Sequence, residues 1–216
     1  MSHCTKENCN RCNCACGKCD RCCCKCGCCC CCLCRCCPPP KPCPECPECP
    51  ECPECPCKSR GELVKNGGFE EWAEGGITIR PVGWSVNGFS ERVSERGKVH
   101  TGRYSVQIPI ESSFAQTIPI PQEECFFEFS FFARSVSNNP GLRATLSFLD
   151  VEGSLLPEGA IIFIERGDLP NVNGVFNYYR VITSQAPLNA VAVRIQFETI
   201  GADQLVIIDD VSLKVA

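Results

Sequence analysis

Residues 125–134 read Cys-Phe-Phe-Glu-Phe-Ser-Phe-Phe-Ala-Arg. Taken alternately, Cys125, Phe127, Phe129, Phe131 and Ala133 form one apolar set. Phe126, Glu128, Ser130, Phe132 and Arg134 form a mixed set. Side chains of a strand point to opposite faces in turn, so this pattern is a strand with one buried face. The alternation recurs downstream. Leu142, Ala144, Leu146 and Phe148 interleave with Arg143, Thr145 and Ser147, and Val191, Val193, Ile195 and Phe197 interleave with Ala192, Arg194, Gln196 and Glu198. Residues 77–80, 104–110, 114–120, 160–166, 176–184 and 204–215 are further strand candidates. Turn-forming clusters such as Asn138-Asn139-Pro140-Gly141 separate them. No window holds a helical period. About nine or ten short strands imply an all-β antiparallel sandwich over residues 62–216, most simply a jelly roll.

Upstream of this domain the polymer changes character. Of 25 cysteines, all but Cys125 lie within the first 57 residues, whereas all 12 Phe, both Trp and all three Tyr lie beyond them. With Met1 and Leu33 as its only large aliphatic side chains, the tail cannot bury enough apolar surface to offset the entropy of ordering. Residues 1–37 are a Cys-rich low-complexity segment, with C-x-x-C, C-x-C and C-C spacings. Residues 38–61 are a Pro-rich linker containing a tandem Cys-Pro-Glu repeat. A proline in every unit excludes helix and central strand, which leaves an extended polyproline II rod. Cys43, Cys46, Cys49, Cys52 and Cys55 then form one stripe with a spacing of ~9 Å, beyond the ~7 Å Cα separation of a disulfide. Such a stripe pairs with another chain more readily than with itself.

Three readings of the tail follow. It cross-links the protein by disulfides to itself or to other Cys-rich proteins. Alternatively it holds soft ions, Zn²⁺ or Cu⁺, in thiolate clusters as metallothioneins do. The third is a tail that oxidises without order. Dense disulfides require an oxidising compartment, yet the first residues contain no apolar signal region. Synthesis in the cytoplasm followed by oxidation after lysis, the route of bacterial spore-surface proteins, removes the conflict. A metal cluster removes it differently, by keeping the protein cytoplasmic.

Several classes are excluded. No stretch reaches the ~18 apolar residues that span a bilayer. Residues 58–216 carry 14 basic and 19 acidic side chains, which does not suit nucleic acid. His100 is the one histidine of that region, and neither a Gly-x-Ser-x-Gly nor a phosphate-binding Gly-rich loop is present, so an enzyme is not expected.

Residues 63–72 read Leu-Val-Lys-Asn-Gly-Gly-Phe-Glu-Glu-Trp, followed by Gly83-Trp84-Ser85, by His100 to Ser105 (His-Thr-Gly-Arg-Tyr-Ser) and by Ala115 to Ile120. The chain ends with Val206-Ile-Ile-Asp-Asp-Val-Ser-Leu213 and three further residues. In this order the motifs resemble carbohydrate-binding modules with the galactose-binding-like jelly roll. More closely still, they resemble the jelly-roll domain that precedes tandem, often collagen-like, repeats in surface proteins of spore-forming bacilli; Leu169-Pro-Asn-Val172 adds to that likeness. That family does not match the Cys-rich tail. The resemblance implies a non-enzymatic structural protein of a spore surface, whose tail cross-links or anchors a displayed domain. A glycan-binding adhesin is the other function it implies.

The resemblance also implies a structural Ca²⁺, held by the Gly68 backbone, Glu70, the loop residues Lys98 and Thr101, and Asp209. By strand parity Asp209 shares the face of Val211 and Leu213, and a buried carboxylate needs a partner. Capping of backbone N–H groups, or pairing with Arg103, would serve as well as an ion. For a glycan, the solvent-side parity offers Phe132, Arg134, Arg143, Tyr178, Arg180, Arg194 and Gln196.

Overall fold

The alternating segments do form strands. The structure, a computed structural model, describes residues 61–73, 79–120, 125–137, 139–201 and 205–216. The Cys-rich segment and the Cys-Pro-Glu repeat, with Cys43, Cys46, Cys49, Cys52 and Cys55, lie outside these residues. Contacts divide the chain after Lys58, and the domain described is Ser59–Ala216.

Twelve strands are found among the described residues: β1 (Trp72–Ala73), β2 (Arg80–Pro81), β3 (Ser85–Asn87), β4 (Glu91–Val93), β5 (Ser105–Ile108), β6 (Ser113–Pro119), β7 (Phe127–Ser135), β8 (Gly141–Leu149), β9 (Leu155–Ile164), β10 (Asn177–Ile182), β11 (Ala192–Ile200) and β12 (Val206–Val215). No helix occurs among them, so none is long and apolar enough to cross a membrane. One five-stranded sheet has the order β10-β7-β12-β5-β4, the other β3-β6-β11-β8-β9, and β1 pairs with β2. Every pairing is antiparallel. Two such sheets face to face make the sandwich expected from the pattern.

The core lies between the sheets and is built from the alternating apolar sets. Phe127, Phe129 and Phe131 of β7 are fully buried, as are Leu142, Leu146 and Phe148 of β8 and Val193, Ile195 and Phe197 of β11. Phe131 meets Phe197 edge to face, with centroids 5.0 Å apart, and so joins the two sheets. Phe114 stacks on Phe197 at 4.9 Å, and Trp84 closes the cluster against Phe114 at 4.8 Å. Each fully buried ring contributes about 1.5–3 kcal/mol.

The first described residues stitch the sheets together at one end. Leu63 N–H donates to the Leu213 carbonyl, and Val211 N–H donates to that of Gly67. Lys65 uses its own N–H and carbonyl on the side chain of Gln116 in β6. Any side chain at Gly67 would collide with Val211, because a Cβ there would lie 2.0 Å from its carbonyl oxygen.

One parity assignment is corrected by the register of β12. Val206, Ile208, Leu213 and Val215 pair with Ser135, Ala133, Phe129 and Phe127, the core-facing positions of β7. Asp209 pairs with Phe132, however, and so shares the outer face. Between Asp209 and Ser212 the register shifts, and Asp210 has φ 48°. This is a β-bulge, in which one extra residue reverses the alternation. Asp209 and Val211 therefore do not point the same way.

Candidate functional site

The outer face of the first sheet is half roofed and half open. Phe132 of β7 and Tyr178 of β10 are directly paired and lie side by side, with ring centroids 5.0 Å apart. Tyr178 is 52% exposed. Next along the same strands Arg180 pairs with Ser130, and its guanidinium forms an ion pair with Glu128. That bond raises the Arg180 pKa and keeps the pair as a fixed donor–acceptor edge to the aromatic platform.

On its other side the platform meets the loop before β5. The imidazole of His100 stacks on Phe132 at 3.7 Å, and the ring of Phe176 stands 5.4 Å from it. His100 Nδ1 lies 2.6 Å from Asp210 Oδ2, and Thr101 Oγ1 donates to the same carboxylate. Beneath this loop Asp209 is fully buried. Its Oδ2 accepts the N–H groups of His100 (2.9 Å) and Thr101 (3.4 Å), and its Oδ1 accepts that of Asp210 (2.8 Å). Burial raises its pKa from 3.8 to about 7, the Asp210 charge adds to the rise, and the N–H donors oppose it.

Glu70 caps the next turn of the loop. Its Oε1 accepts the N–H groups of Arg103 (2.8 Å) and Tyr104 (3.1 Å). Gly102, just before Arg103, has φ +69°, and a Cβ there would lie 2.2 Å from that oxygen. Lys98 contributes its carbonyl, which accepts the Ser105 hydroxyl at 2.7 Å. Gly68 faces Asp210, whose Oδ1 lies 3.5 Å from where a Gly68 Cβ would stand.

The structure thus gathers the residues named for calcium around one loop, where the carboxylates of Asp209 and Glu70 cap backbone N–H groups. Among the described residues no group of three or more acidic, His or Cys side chains closes on a common point. Arg103 lies over the Tyr104 ring instead of pairing with Asp209.

The residues named for a glycan do not form one site. Phe132, Tyr178 and Arg180 share the first sheet's outer face. Arg143, Arg194 and Gln196 lie on the second sheet, where Arg194 pairs with Ser147 and Gln196 with Thr145. Arg134 belongs to neither surface. It is 3% exposed, and it donates to the carbonyls of Gly97 and Ser135 and to Asn173 Oδ1, which ties the two roofing loops together. Burial lowers its pKa. Parity placed Arg134 outward correctly, but parity cannot see a loop that folds over the strand.

Two features were not anticipated from the sequence. His100 and Asp210 are one; the signal available was the solitary histidine beside a Gly-x-Tyr-Ser turn. The other is an open cleft of about 430 Å³ at the start of β10, lined by Asn139, Asp168, Pro170, Asn171 and Asn177 among others. Asn177 pairs with the core-facing Ala133, so it lies on the opposite side of β10 from Tyr178 and the cleft is separate from the platform.

Solved structures with the same architecture identify the fold. The galactotriose complex of TmCBM61 aligns with 72% of this chain and 99% of its own, with a TM-score of 0.52 and 17% identity. The CBM22-1 xylan-binding domain of Paenibacillus barcinonensis Xyn10C aligns over 72% and 94%, with a TM-score of 0.50 and 14% identity. The fold is the jelly roll of carbohydrate-binding modules. The enzymatically active domain of bacteriophage CBA120 tailspike protein 4 also matches, at a TM-score of 0.51 and 18% identity, but only 21% of that chain is covered. At these identities the likeness is one of fold. No protein-family model matches the chain, and no curated protein matches it.

Proposed function

We propose that the jelly roll is a non-catalytic glycan-binding module that reads a polysaccharide on the outer face of the first sheet. The observation that carries this reading is the paired Phe132–Tyr178 platform, with Tyr178 half exposed and the Arg180–Glu128 pair at its edge. A sugar ring has an apolar C–H face and a polar rim. An exposed aromatic ring meets the first, and fixed charged donors and acceptors meet the second. The second sheet offers Arg143, Arg194 and Gln196, but its exposed aromatic ring, Phe163, stands on the edge strand.

The Cys-rich tail is proposed to anchor this module and cross-link it at a bacterial spore surface. Support for that part is the sequence alone: a stripe of cysteines at a period of three on a Pro-rich rod. A display module on a covalent anchor joins the two halves of the chain in one role.

Affinity electrophoresis through gels containing β-1,4-galactan or xylan tests the glycan reading. Those polymers match the ligands named for two proteins of the same fold. Retarded migration is expected for the wild type, lost in Tyr178→Ala and kept in Arg194→Ala. Retardation that survives Tyr178→Ala moves the site elsewhere. A chain retarded by no polysaccharide in a broad panel refutes the function.

A further inference from the structure

Strand β9 ends the second sheet, and among the described residues no strand pairs with its outer edge. Residues 159–164 read Gly-Ala-Ile-Ile-Phe-Ile, a run of high β propensity with no charge and no proline. Proteins usually blunt such an edge with lysine, proline, a bulge or a covering loop. Here the covering is partial. Ser184 N–H donates to the Gly159 carbonyl at 2.7 Å, which closes the edge at that residue and, among the described residues, leaves 160–164 open. On the outer face of this open length Ile161 is 44% and Phe163 60% exposed.

We propose that β9 is a homodimerisation edge, at which two copies of this chain pair antiparallel and join their second sheets into one. The sequence of the edge is self-complementary. With the two-fold axis through Ile162, Ile161 of one copy stands opposite Phe163 of the other, and Ala160 stands opposite Ile164. Both exposed apolar side chains then meet a partner on the same face, as a cross-strand aliphatic–aromatic pair made twice. The strand ends at Ile164, so the partner leaves the edge where Ser184 covers Gly159. An isologous contact of this kind closes on two copies and adds a non-covalent junction to whatever the tail forms. It lies away from Tyr178, and so stands independently of the glycan reading.

Sedimentation of the full chain in strong reductant, where disulfides cannot contribute, tests the edge. A monomer–dimer equilibrium that shifts with concentration is expected. Phe163→Lys should weaken the dimer by about tenfold or more, since it removes both apolar pairs. Ile161→Lys should weaken it likewise, because Ile161 is the other member of each pair. Melting curves of each variant check that the fold is intact. A wild type that stays monomeric at every concentration overturns the proposal, as does a dimer indifferent to Phe163→Lys. Slow amide exchange at 160–164 in a monomer would also overturn it, because the edge would then be covered within one chain.

Discussion

The imidazole of His100 lies against the ring of Phe132, with centroids 3.7 Å apart and planes 17° from parallel, while its Nδ1 is held by Asp210. A loop residue thereby pins the roof of the first sheet to the platform that Tyr178 continues. Removing the ring deletes one stacking contact and one hydrogen bond to a charged group. His100→Ala should therefore cost about 1–2 kcal/mol. For a domain of this size that is a fall in melting temperature of about 2–8 °C. His100→Phe, which keeps the stack and loses the bond, should fall between the two. Unchanged melting in His100→Ala would mean that the contact carries no stability.

Asp209 sets a pH dependence of definite sign. Burial raises its pKa to about 7 from 3.8, so the folded chain holds a proton that the unfolded chain releases. Its contribution is largest below the unfolded value, falls as pH rises from about 4 to about 7, and is level above that. In chelator, the stability of wild type relative to Asp209→Asn should decline across that window, since asparagine does not titrate. A difference that rises with pH would refute this assignment. Calcium is read in the same pair of proteins. An ion at Asp209 favours the charged carboxylate, so added Ca²⁺ would raise wild-type melting above pH 7 and leave Asp209→Asn unmoved. Coincident curves leave the N–H caps as the whole site.

Gly102 is held to glycine by two constraints at once: a φ of +69° and a carboxylate 2.2 Å from the position of a Cβ. Gly102→Ala should cost about 1–3 kcal/mol by strain and by displacing Glu70 from the N–H groups of Arg103 and Tyr104. Glu70→Gln keeps an acceptor oxygen in place and should cost less. Thermal unfolding compares them, and equal losses would show that the cap depends on the charge.

The strands were legible because their apolar residues alternate strictly. Phe127 to Phe131, Leu142 to Phe148 and Val193 to Phe197 all point inward as read. β3 and β4 were missed, being three residues each and too short for a period to register. The bulge at Asp210 was also missed, because an inserted residue is invisible until the partner strand is known. It moved Asp209 from the core face to the outer one. The glycan candidates divide between the two sheets for a related reason. Parity gives the side of a strand but not which sheet the strand joins. It therefore merged Tyr178 with Arg194, which stand on opposite faces of the sandwich.

The Cys-Pro-Glu rod separates the two roles open to the tail. In an extended rod, successive sulfurs of Cys43, Cys46, Cys49, Cys52 and Cys55 stand ~9 Å apart along the axis. One Zn²⁺ binds sulfurs at ~2.3 Å, so two ligands of one ion lie within about 4 Å of each other. A straight rod cannot supply both, whereas rods lying side by side can form several disulfides in register. Each bridge raises the effective concentration for the next, so bundles are favoured over isolated pairs. Replacing these five cysteines by serine should reduce the reducible multimers seen on gels. Most of the capacity for Zn²⁺ or Cu⁺ should remain in residues 4–37, measured by metal analysis of the reduced protein. Multimers unchanged by the replacement would remove the rod from cross-linking. Peptide mapping that finds these cysteines bridged mainly within one chain would do the same.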